Sequence, residues 1–381
     1  MVIINGRLVI VLALALSLLN LIHAKLLVVL FDPTLFQFQF TSTINGWLPI
    51  GMDGVSLMLI WLVTLLMPIV LLSLGRVKML LLIGFWSLAV FLVLDLVYFY
   101  ISFEGVLIPM FFLIGFYGGR NRKIQAAYSF FLYTLLGSLI LFLALLVLNC
   151  LIGSTSFIIL LASTSNISKQ SQHLVWLAFF LSLAIKIPIM PFHLWLIEAH
   201  VESPTAGSIL LAAILLKLGS YGFIRFALPL FTDASGYFTP LIGVVSISAV
   251  IYSSVACLSQ LDLKKIIAYS SIAHMNLSLV GLFSNNFTGV SSSIYFLISH
   301  GLISAGLFLL IGVLYDRLHT RTHKYFRGLV MILPLFILLL LIFTLANTAV
   351  PITSGFIAEF YVLGGVANSN NVMSIYFKVG V

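Results

Sequence analysis

Apolar residues run almost without interruption along this chain, in stretches of the ~20 residues that a helix needs to cross a hydrocarbon layer. They do not alternate with polar residues, as the strands of a membrane barrel would. The pattern predicts spans at about 8–30, 55–74, 77–96, 98–117, 126–152, 174–197, 205–229, 238–258, 264–283, 291–314 and 329–367. The last is too long for one crossing. It is interrupted at Asn347-Thr348-Ala349-Val350-Pro351 and again at Gly355, so two half-helices or a pair are expected there. Pro188 and Pro191 break the 174–197 span in the same way. Paired broken helices in separate halves of a chain point to inverted repeats around a mid-membrane site. Residues 371–381 begin a further apolar run. The expected fold is all-α, a polytopic transmembrane helix bundle, in one domain over 1–381.

Composition agrees: 62% of the 381 residues are hydrophobic and only 7% are charged. The net charge of +8 suggests nucleic acid in a soluble protein. Here the basic residues fall in short loops, and orientation is the better explanation. Loops after even-numbered spans hold Arg76, Lys78, Arg120, Arg122, Lys123, Lys264, Lys265, Arg317, Arg321, Lys324 and Arg327. Those after odd-numbered spans hold only Lys25, Lys169 and Arg225, and Arg7 precedes the first span. The bias places the N-terminus in the cytoplasm or the mitochondrial matrix. Cys150 and Cys257 form no CxxC or other metal-ligand spacing. The chain shows no P-loop, no dinucleotide fingerprint and no catalytic triad.

A short list of ionisable residues then remains inside spans: Asp95, Glu104, Lys186, Lys217, Glu359, His193, His274 and His300. Such residues are costly in hydrocarbon and mark functional paths. Lys186 lies beside the proline break, where freed backbone groups need polar neighbours or water. A lysine and a carboxylate whose separation changes form a proton-affinity switch. Glu104 and Lys186 make such a pair if their helices touch; the alternatives are an interfacial carboxylate and a snorkelling lysine. Lys217 sits deep in its apolar run. His274 and His300, near Ser270, Ser271 and Ser299, read either as core histidines or as a polar wire that relays protons. Glu359, after the second break, takes the end of the path. His193 with Glu198, His200 and Glu202 reads as a satisfied polar cluster at the interface, since Pro204 ends the helix there.

These residues resemble the chain 4 family of antiporter-like subunits of respiratory NADH:ubiquinone oxidoreductase, complex I. The match runs from about Asp53 to Leu363. Its most specific pieces are FYISFE at 99–104, AYSFFLYTLLGS at 127–138, HLWLIEAHVESPTAG at 193–207, LLKLG at 215–219 and DLKKIIAYSSIAH at 262–274. The resemblance implies a relay of Glu104, Lys186, Lys217, His274, His300 and Glu359, and two inverted repeats, about 77–229 and about 238–381. It implies a further helix at each end, so the second repeat is expected to be incomplete.

The expected function is proton translocation coupled to electron transfer from NADH to ubiquinone. The alternative is a subunit of an Mrp-type cation/proton antiporter without redox coupling; a hydrogenase membrane subunit and a plain scaffold are further rivals. No cofactor is expected in this chain. NADH, FMN, iron–sulfur clusters and ubiquinone belong to the complex, and no metal site is expected. The expected partners are other membrane subunits, especially the sister antiporter-like chains, and the lipid bilayer, with no nucleic acid. The expected location is the mitochondrial inner membrane, with a bacterial plasma membrane as the alternative.

Overall fold

A computed structural model describes residues 6–35, 38–44, 48–74, 77–326 and 328–369. Arg76, Arg327, the Arg7 side chain and the run 371–381 lie outside the described residues. The contacts divide the chain into two compact units, Met1–Ser182 and Leu183–Val381.

The first unit opens with α1 (Gly6–Leu30), followed by a hairpin of β1 (Gln39–Ile44) and β2 (Leu48–Met52). The two strands pair antiparallel. The long apolar runs gave no sign of this hairpin. Then come α2 (Gly54–Leu74), α3 (Val77–Leu92), α4 (Leu96–Gly105), α5 (Leu107–Tyr117), α6 (Lys123–Ile152), α7 (Phe157–Ser163) and α8 (Lys169–Lys186), whose last turn belongs to the second unit. The segment before α4 is stitched on both sides. Leu94 N–H donates to Pro49 O, and Leu96 N–H donates to Thr155 O. Asp95 is therefore no intramembrane charge in mid-helix. It is the N-cap of α4, accepting from the Val97 and Tyr98 N–H groups at 2.8 and 3.3 Å and from the Thr155 hydroxyl at 2.8 Å. A carboxylate at this end satisfies orphan donors and complements the helix dipole.

The second unit holds α9 (Leu194–Glu202), α10 (Thr205–Leu210), α11 (Leu216–Gly222), α12 (Leu228–Leu230), α13 (Thr232–Leu258), α14 (Leu263–Leu282), α15 (Phe287–Leu318), α16 (Leu329–Ile332), α17 (Pro334–Asn347) and α18 (Ser354–Ala367). Two π turns, Leu211–Leu215 and Phe223–Ala227, join α10, α11 and α12 into one rod. The apolar window of that rod is 94% buried, against 28% for α13, so its surroundings are protein while much of α13 faces outward. Around it α14 packs on α13 and α15, and α18 packs on both α14 and α15.

The two discontinuous helices are present. The first break separates α8 from α9 over residues 187–193, and the second separates α17 from α18 over 348–353. Gly355 is no second interruption; it lies in the first turn of α18. Its added Cβ would meet Ala346 O at 2.6 Å, so glycine lets the two half-helices approach. Three cations assigned to loops are buried instead: Lys264, Arg321 and Arg225, at 1%, 3% and 6% exposure. Each uses at least one donor inside. Lys264 Nζ donates to Ser203 O at 2.9 Å, Arg321 donates to Val201 O, and Arg225 Nε donates to Tyr221 OH at 3.0 Å.

Candidate functional site

Lys186 is the last residue of α8 and is 2% exposed. The end of a helix gathers carbonyls without intrahelical partners and carries partial negative charge, which favours a cation. Other groups satisfy those carbonyls here. Ile187 N–H donates to Leu183 O and Ile189 N–H to Ala184 O, both at 3.0 Å. The Trp195 indole donates to Ile185 O at 2.9 Å, and the Asn276 amide reaches Pro188 O at 3.4 Å. The Lys217 rod touches the same end. An added Cβ on Gly219 would lie 2.7 Å from Ile187 Cγ1 and 3.1 Å from Lys186 Cβ. The two lysine-bearing backbones thus meet where one of them has no side chain.

Lys217 is fully buried in α11, directly after the first π turn. Leu216 N–H bonds to Leu211 O, five residues back, where an α-turn would give it to Ala212 O. Ala212 O accepts Lys217 Nζ at 2.7 Å. Nζ also lies 2.9 Å from His300 Nδ1. A π turn is a common device at functional sites, and here it supplies a carbonyl that holds the ammonium beside the imidazole.

His300 comes from α15, His274 from α14 and Glu359 from α18. The two rings stand 5.6 Å apart between centroids, and no hydrogen bond joins them. His274 Nδ1 lies 3.1 Å from Glu359 Oε1. Four of the six sequence candidates therefore form one line across the second unit: Lys217, His300, His274, Glu359. Lys186 stands at its near end. Glu104, half-buried near the end of α4, belongs to the first unit. Its helix is interrupted at Val106, where Pro109 has no N–H for Gly105 O.

Of the three serines near the histidines, the buried Ser271 hydroxyl has no partner among the described residues, and the other two bond within their own helices. Ser270 and Ser299 hydroxyls donate back to Ile267 O and Phe296 O of their own helices. His193 and His200 are also unlike the expected interface cluster. Both are buried, and neither ring nitrogen of His200 has a hydrogen-bond partner among the described residues. α9 continues to Glu202, so Glu198 and Glu202 do share one helix. Sequence reasoning missed Trp195, Asn276 and Gly219. The signal for Trp195 was a lone indole directly after a proline break; the others have none.

Comparison with known proteins places the chain as a whole. Residues 93–381 match the family model described as the transmembrane region of NADH:quinone oxidoreductase and Mrp antiporters. NADH-ubiquinone oxidoreductase chain 4 of Arabidopsis thaliana is 47% identical, over 98% of this chain and 78% of the relative. A chain of respiratory complex I from Thermus thermophilus with bound NADH superposes with a TM-score of 0.84 at 28% identity, covering 99% of this chain and 85% of that one. A chain of the Mrp complex of Dietzia gives a TM-score of 0.88 at 20% identity, covering 98% and 73%, which is a likeness of fold.

Proposed function

We propose a function from one premise: the chain belongs to the NADH:quinone oxidoreductase/Mrp antiporter membrane family and, within it, to the NADH-ubiquinone oxidoreductase chain 4 family. It is a proton-translocating membrane subunit of NADH:ubiquinone oxidoreductase. Electron transfer from NADH to ubiquinone takes place on the flavin, iron–sulfur clusters and quinone of other chains, and this subunit moves protons in response. The 47% identity to a chain 4 relative favours this reading over the Mrp antiporter, whose likeness is in the fold.

One observation carries the relay: a fully buried lysine shares a 2.9 Å contact with an imidazole, in line with a second imidazole 3.1 Å from a carboxylate. An ammonium and an imidazole nitrogen at that distance share one hydrogen, and it can rest on either nitrogen. A proton given to His300 Nδ1 allows His300 to release the one on Nε2, so a single residue passes charge without rotating. The His274–Glu359 pair receives it at the far side. Lys186 loads the line from the broken helix, and Glu104 joins the relay on the strength of the family resemblance. The chain acts beside other membrane subunits, the sister antiporter-like chains among them, in the mitochondrial inner membrane.

Lys217→Ala and Lys186→Ala, each made in the assembled complex, test this. Both are expected to lower proton translocation and coupled quinone reductase activity by about tenfold or more, the change that a proton step harder by ~1.4 kcal/mol produces. NADH oxidation by an artificial acceptor should stay unchanged. An unaltered proton-to-electron ratio in both variants overturns the relay.

A further inference from the structure

His300 uses Nδ1 for Lys217, and its other nitrogen, Nε2, is buried with no partner among the described residues. The residue is 3% exposed. A buried imidazole nitrogen without a partner is costly and asks for an explanation. His300 also lines a small cavity, with His274 and Glu359 on its other sides. The cavity measures about 10 Å³, the space that one water molecule's centre requires. Its remaining walls are Phe296, Ile303, Ala346, Asn347 and Gly355.

A water held in a protein needs two to four polar partners, besides room. Three of the polar groups here are the relay residues themselves. The fourth is Asn347, the last residue of α17, whose side chain makes no hydrogen bond to protein among the described residues. An amide presents both a donor and an acceptor and does not titrate. It cannot carry the proton, but it can fix how a water stands.

We propose that Asn347 is a positioning residue of the relay: with His300, His274 and Glu359 it holds one water that passes the proton from His300 Nε2 to the His274–Glu359 pair. This inference rests on the proton-relay reading above. The step balances simply. His300 Nε2 gives its proton to the water oxygen, and the water gives one of its other two to His274 or to the Glu359 carboxylate. The gap between the two rings, which no hydrogen bond spans, is then bridged. Gly355 is part of the same construction, because a side chain there would meet Ala346 O and displace the neighbouring Asn347.

The test uses the complete complex with three variants. Asn347→Leu keeps the size and removes the polar group. Asn347→Ser keeps a hydroxyl and leaves room. Ile303→Phe retains Asn347 and fills the cavity from another of its lining residues. Asn347→Leu and Ile303→Phe should each lower proton translocation by about tenfold, with the artificial-acceptor activity unchanged. Asn347→Ser should pump within about twofold of the parent, since a water or hydroxyl substitutes nearly evenly for a direct hydrogen bond. Full pumping by Asn347→Leu or Ile303→Phe overturns the water site. Equal losses in the leucine and serine variants overturn it too, because packing alone would then explain them. If Asn347→Leu does not assemble, Ile303→Phe against Asn347→Ser still decides. Lys217→Ala separates the two levels: if it pumps normally, the relay itself fails, whereas a loss in it beside full pumping by the other variants removes the water alone.

Discussion

The two broken helices solve the same physical problem with different materials. Each exposes backbone groups that a continuous helix would pair. The first break is buried where it begins, at Ile187, Pro188 and Ile189, and distant side chains finish it: the Trp195 indole and the Asn276 amide meet the carbonyls of Ile185 and Pro188. The second lies at the surface of the unit, with Ile352 fully exposed, and finishes itself. Thr348 Oγ1 donates to Thr344 O, Thr353 Oγ1 donates to Val350 O, and Thr353 accepts from Phe356 N–H as the N-cap of α18. Electrostatically the two are opposites. The first ends a helix and carries a lysine, whereas the second starts one and carries a glutamate in its second turn. Each charge matches the sign of the dipole end nearest to it. An interior break therefore depends on the surrounding fold. An outer break can be written into its own few residues.

Three substitutions bear on that contrast. The largest effect is expected from Lys186→Glu, which places a carboxylate among carbonyls in a buried setting. Removing the favourable charge and burying an uncompensated one costs about 3–5 kcal/mol. Loss of assembled complex on native gels reads this, and normal assembly breaks the electrostatic half of the comparison. Trp195→Phe leaves Ile185 O without its donor and should cost about 1–3 kcal/mol, seen as a lower thermal midpoint of the detergent-solubilised complex. Thr353→Ala removes a cap and should cost about 1 kcal/mol by the same measurement. A larger loss from Thr353→Ala than from Trp195→Phe would invert the ranking of the two breaks.

Much of the site was readable beforehand, for reasons that particular residues make plain. Lys186, Lys217 and Glu359 stood out because charge is expensive in apolar runs. Pro188, Pro191 and Pro351 marked the breaks because proline cannot continue the backbone ladder. Asp95 was misread because a cap and a mid-span carboxylate look alike until the Thr155 contact is seen. Lys264 and Arg321 were misread because residues near the ends of α14 and α15 look exposed, while here they fold inward onto the carbonyls of Ser203 and Val201. The π turn before Lys217 had no mark at all. Leu211-Ala212-Ala213-Ile214-Leu215 is an ordinary helical string, and only packing selects the wider turn.

Sequence by itself determined the membrane class, the two breaks and the identity of the ionisable groups, since each follows from the local cost of water, charge or proline in hydrocarbon. Only the tertiary structure decided which of those groups touch. Lys217 and His300 lie 83 residues apart along the chain and meet at 2.9 Å. That meeting depends on how α11, α14, α15 and α18 pack, on glycines that let backbones close in, and on a carbonyl turned free by a π turn. These are long-range steric choices, and no short stretch of sequence encodes them.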